Sequence, residues 1–180
     1  MHTMANLTLT IIGCGNSNRC DDGVGVFVAK SLQTFLQQSP RNDVRVFDAG
    51  TAGMEVMFQS RGTQKLIIVD ATTTGSEPGA IFKVPGEKLA TNYEPQFNLH
   101  DFRWDHALFA GKNIFRDQFP SEVWVYLIEA LSLDYGLDLS EQVRKSALKV
   151  ITDIKNIIDL YSPFPEDRLS SEAAVCAQFP

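Results

Sequence analysis

Three aspartates and a histidine stand where they could do metal or hydrolytic chemistry. Asp22 lies in GCGNSNRCDDGVG, Asp48 in VRVFDAG and Asp70 in LIIVDAT, while His100 and His106 share NLHDFRWDHALFAG. Carboxylate oxygens with an imidazole nitrogen make a set suited to a borderline divalent metal such as nickel or zinc. The same carboxylates could equally serve a hydrolase as acid and base. Each residue also has a plain structural use. Acidic residues at a helix start cap amides and complement the dipole, which suits Asp21 or Asp22. Asp48 and Asp70 could close Asx turns at strand ends. The histidines, taken singly, fit surface or helix-start positions. Convergence is what favours chemistry: Asp22, Asp48 and Asp70 are all expected at one edge of a sheet, with a histidine nearby.

Two other chemistries compete for the same loop. Cys14 and Cys20 place thiols by the glycines, where a helix dipole could lower a thiol pKa and supply a nucleophile. Asp21 and Asp22 beside Cys20 act in the opposite direction, which puts this reading behind the metal site. With Cys176 the cysteines number three and show no CxxC spacing, so neither a disulfide framework nor a zinc set is indicated. A nucleotide loop is also disfavoured. Gly13 and Gly15 match two positions of a dinucleotide fingerprint, but Asn18 stands at the sixth and no Lys-Ser/Thr pair follows. Two aspartates near the helix start would repel phosphate. Gly13 and Gly15 are therefore read as a tight strand-to-helix turn.

For these aspartates to meet, strands must deliver them to a common edge. LTLTIIG, DVRVFDAG, KLIIVDAT, GAIFKV and EVWVYLIEA read as five strands. KLIIVDAT is the most continuous apolar run, as expected of a parallel strand covered on both faces. Val24, Phe27, Val28, Leu32, Phe35 and Leu36 mark one face of a helix over residues 22–38. Shorter helices are expected over 52–62 and 100–110, and a long one from Ser140 to Tyr161 with Ser140 as its cap. Residues 85–98 read as irregular. The fold class is α/β: a three-layer sandwich with a twisted, mostly parallel five-stranded sheet flanked by helices. Ligands of such sheets sit outside the carboxyl ends of the strands, where the aspartates fall. Residues 1–161 form one expected domain, and residues 162–180, with three prolines and no periodicity, an expected mobile or loosely attached tail.

Composition narrows the partners. With 180 residues and 44% apolar content, the chain can bury a real core. A net charge of −6 without a Lys/Arg cluster argues against nucleic acid. Apolar runs are too short to span a membrane. The start MHTMANLTLT lacks a basic, apolar leader, so a cytoplasmic protein is expected. A monomer or weak oligomer is expected.

GCGNSNRCDDGVG, DAGTAGMEVM, LIIVDA, EPG and LHDF, in that order, resemble the motifs of the nickel–iron hydrogenase maturation proteases, over about Leu9 to Leu160. The resemblance implies an α/β sandwich that cuts a C-terminal extension from the hydrogenase large-subunit precursor after nickel loading. Nickel, supplied by the substrate, would be the recognition feature, with another divalent cation as its expected substitute in vitro. It also implies that Asp22, Asp70 and His100 contact the metal. Asp48 answers to the aspartate of the D-x-G-T motif and is the candidate general base. Many members carry Glu where Asp22 stands, so Asp21 could share that role; its own expected role is at the helix start. His106, six residues from His100, would point away from it on a regular helix. Residues 85–98 and the stretch RWDHALF, expected to be exposed, are candidates for reading the substrate's tail. The alternative function is a non-enzymatic nickel-centre chaperone; a nucleotide-binding module ranks third.

Overall fold

A computed structural model describes residues 7–89 and 103–161. His100, most of the segment 85–98 and the tail 162–180 lie outside the described residues.

Five strands form one sheet: β1 (Leu9–Cys14), β2 (Val44–Gly50), β3 (Lys65–Thr72), β4 (Ile81–Pro85) and β5 (Glu122–Glu129), in the order β2-β1-β3-β5-β4. All neighbouring pairs are parallel except β4 with β5. The antiparallel strand is an edge strand, reached from β3 by a short turn and ending in Pro85, where a missing amide costs no ladder bond. Leu66, Ile67, Ile68 and Val69 of β3 are all buried, as the continuous apolar run predicts for a strand covered on both faces.

Two helices cover one face and two the other. A 3-10 turn, Cys20–Gly23, leads into α1 (Val24–Gln38), which packs beside α5 (Glu141–Leu160). On the opposite face α2 (Gly53–Ser60) packs beside α4 (Trp104–Phe115). Between α2 and α4 in sequence, residues expected to be irregular form a four-residue helix, α3 (Gly86–Leu89). The cap expected for α5 is present, with the Ser140 side chain accepting from the Val143 amide at 3.4 Å. The helix expected over 100–110 begins at Trp104 and runs to Phe115. Arg103 is extended (φ −83°, ψ 170°), and Trp104, Ala107, Leu108 and Gly111 make the buried stripe. RWDHALF is therefore not an exposed stretch: its Trp104, Ala107 and Leu108 are core residues.

Backbone packing explains the first glycines. A Cβ on Gly13 would lie 2.0 Å from the Gly25 carbonyl oxygen, and one on Gly25 would lie 2.2 Å from the carbonyl oxygens of Cys14 and Val69. So α1 rests directly on the backbones of β1 and β3. Among the described residues no helix is long and apolar enough to cross a membrane.

Candidate active site

The strand order places β1 between β2 and β3, and the helices after β1 and β2 leave on opposite faces. That reversal opens a crevice at the carboxyl ends of β1 and β3, the usual ligand position in such sheets. A cavity of about 420 Å³ occupies it. Asp22, Asp70, Cys14, Gly15, Arg103 and Trp104 are among its lining residues.

Asp70 ends the apolar run of β3 and is 7% exposed. It closes no Asx turn. One carboxylate oxygen accepts the Ala71 amide at 2.9 Å, and the other accepts Trp104 Nε1 at 2.6 Å. Burial raises its pKa to about 6, and the charge of Asp22 adds to the rise. Trp104, the Ala71 amide and Arg103 act against that rise.

Asp22 reaches the cavity from the 3-10 turn, half-buried, with Oδ2 accepting the Asn16 amide at 3.1 Å. Gly15 makes this approach possible. Its φ is +115°, and a Cβ there would lie 1.8 Å from the Asp22 carbonyl oxygen.

Asp21 has a different role from the one expected. It caps no helix start and does not line the cavity. Fully buried, its carboxylate accepts amides of Leu131 (2.9 Å), Ser132 (3.1 Å) and Ser140 (2.7 Å), tying the loop after β5 to the 3-10 turn.

Asp48 stands at the same sheet edge, paired in register with Gly13. It forms the expected Asx turn, accepting the Gly50 amide at 3.0 Å, and its other oxygen lies 3.8 Å from Lys30 Nζ. Its carboxylate opens onto an adjoining depression, which shares Gly15, Gly50 and Thr51 with the main cavity. His106 is half-buried on α4, and its Nε2 lies 4.0 Å from Asp105. Among the described residues no three His, Cys, Asp or Glu side chains converge as a complete metal set. Asp22 and Asp70 supply two oxygen donors. Cys14 is a poor nucleophile, because burial and then the charges of Asp70 and Asp48 raise its pKa well above that of an ordinary thiol.

Arg103 and Trp104 fell within the stretch RWDHALF, expected to be an exposed reader of the substrate's tail, and sequence reasoning did not place them beside Asp70. Their signal was weak: an Arg-Trp pair next to a motif histidine. Their partner Asp70 lies 34 positions away, and only the packing of α4 against the sheet brings them together.

A family model for hydrogenase maturation proteases matches residues 26–157. The chain is 25% identical over 139 residues to the hydrogenase 2 maturation protease of Escherichia coli K12, covering 76% of this chain and 82% of that one. It is 35% identical over 78 residues to the coenzyme F420 hydrogenase subunit delta of Methanothermobacter thermautotrophicus, covering 42% and 49%. The chain spans 63%, 49% and 61% of the length of three of the curated relatives that it matches. Its fold resembles that of the hydrogenase maturating endopeptidase HybD from E. coli, with a TM-score of 0.71 at 21% identity over 86% of this chain and 94% of that one. Matched by the family model over most of its length, with the fold to go with it, the chain belongs to the hydrogenase maturation protease family.

Proposed function

We propose that this protein is an endopeptidase that removes the C-terminal extension of a nickel–iron hydrogenase large-subunit precursor after nickel insertion. The observation that carries this reading is the pair Asp22 and Asp70 facing one cavity at the strand ends, with Asp70 buried and disfavoured as an anion. A cation entering that cavity offsets both the burial and the mutual repulsion. Each Asp70 oxygen accepts one hydrogen bond and keeps a lone pair for a metal. His100 is the third ligand in this reading.

The metal is cargo carried by the substrate. Two or three protein donors leave coordination positions for the precursor's own groups, so a precursor without nickel is held poorly. Nickel supplied in this way acts as a Lewis acid toward a carbonyl or a water. The chain's own residues hold and orient the metal-bearing segment. Asp48, on the adjoining depression, is the general base that takes the proton of the attacking water. The scissile C–N bond breaks as the water oxygen joins the carbonyl carbon, and the proton passes to the leaving amine.

The test is incubation of the purified protein with nickel-loaded and nickel-free precursor. Cleavage of the loaded form alone is expected. Binding without cleavage would instead support a nickel-centre chaperone. Asp48→Asn keeps an oxygen for the Gly50 amide, so it should abolish cleavage while metal binding survives. Normal cleavage by that variant would remove Asp48 from the mechanism.

A further inference from the structure

We propose that the cavity continues into a groove along α1 that holds three to four residues of the extended precursor chain, an apolar side chain followed by an acidic one. This rests on the protease reading above and adds the class of peptide that it takes.

The groove is built from three depressions in series. The main cavity shares Gly15, Gly50 and Thr51 with the depression of about 240 Å³ that Asp48 faces. That depression shares Ser17 and Val26 with a third, of about 160 Å³. Gly23, the residue before α1, and Val26, Phe27 and Lys30 of α1 line the third at spacings of three, four and seven, which is one face of the helix. Leu137 and Leu139 wall it from the loop after β5, and Arg144 of α5 lines it together with Lys30. From Asp22 to Lys30 is about 12 Å, at roughly 1.5 Å per residue. Extended chain rises about 3.3 Å per residue, so three to four residues fit.

The lining sets the chemistry. Val26, Phe27, Leu137 and Leu139 offer an apolar seat. Leu137 is 79% exposed, yet its loop is fixed by the three amide bonds to Asp21, by Cys20 N to Gly136 O at 2.8 Å, and by Arg19 Nε to Leu133 O at 2.9 Å. Leu137 and Leu139, both on this pinned loop, face the depression together. Arg144 lies over the Phe27 ring at 5.3 Å and pairs with no carboxylate among the described residues. In a chain of net charge −6, this cation at the end of an apolar track selects an anion. The end is open and its cations exposed, so the chain can leave the groove there, and the anion is a side chain of the precursor.

Steady-state cleavage of nickel-loaded precursor by the wild type, Arg144→Glu and Leu137→Ser tests the groove. KM should rise about tenfold for Arg144→Glu and severalfold for Leu137→Ser, with kcat within about twofold. Changing the acidic precursor residue to Gln should raise KM for the wild type and lower it for Arg144→Glu, where it removes a like-charge repulsion. Unchanged KM in both variants, or a loss confined to kcat, overturns the groove. Fluorescence anisotropy of a labelled peptide spanning the cleavage site gives a second reading. Weaker binding by the variants supports the groove, and equal binding overturns it. Failure of the wild type to cleave counts against the protease reading itself, while the peptide measurement still judges the groove. Circular dichroism confirms folding, and Arg144→Gln replaces Arg144→Glu if the latter does not fold.

Discussion

Asp70 concentrates the chemistry of the site in one side chain. Its folded pKa of about 6 lies above the ordinary value of 3.8, chiefly because it is buried. Between those values the folded state holds a proton that the unfolded state has lost, so stability falls as pH rises from about 4 to about 6. By pH 7 the ionised group costs about 3 kcal/mol. Urea unfolding of the wild type and Asp70→Asn across this range should therefore diverge. Asn removes the charge but presents an amide to one of two donors, so its absolute effect is a competition. The difference between the two proteins should nonetheless shift by roughly 2.4 kcal/mol in favour of Asn as pH rises from 4 to 7; a constant difference would contradict the assignment. Trp104→Phe removes a hydrogen bond to the ionised carboxylate, and should cost about 2 kcal/mol at pH 7.5 and less at pH 5. Equal losses at both values would show that packing alone is at stake. At this scale the sequence was legible where chemistry follows local position. Asp22 follows a glycine turn and Asp70 ends an apolar strand, and both face the cavity. Asp21 was misread because its three amide partners come from a loop over a hundred positions away.

Elements decide how accurately those side chains are held. Asp21 anchors the loop after β5 from a fully buried position, so Asp21→Ala leaves three amides without an acceptor and should lose about 3–5 kcal/mol in denaturant melts. An exposed helix-start aspartate would lose about 1 kcal/mol or less. Gly25→Ala would press a methyl against two backbone carbonyls and should cost at least about 2 kcal/mol, measured by the same melts. Periodicity made the strands and the two long helices readable, since each buries a regular stripe or run. The start of α4 was not readable from local pattern. An extended Arg103 sets it, and the next residue bonds to β3. The antiparallel direction of β4 was equally hidden, because a turn signal does not say which neighbour the strand will join.

At the scale of the whole molecule, one topological reversal gathers residues from β1, β2, β3 and α4 around one cavity. The fold class followed from alternating strand and helix patterns, and the sheet edge that carries the aspartates followed from the rule for parallel sheets. The groove along α1 depends on how a loop, a helix stripe and α5 meet, which no local pattern encodes. The central claim is that this fold reads nickel in its substrate and then cuts. Mass spectrometry of the large-subunit precursor, loaded and unloaded with nickel, after incubation with the purified protein tests it most directly. The account predicts loss of the C-terminal extension from the loaded form only, and none with Asp70→Asn. Equal cleavage of both forms, or full activity of Asp70→Asn, would contradict it.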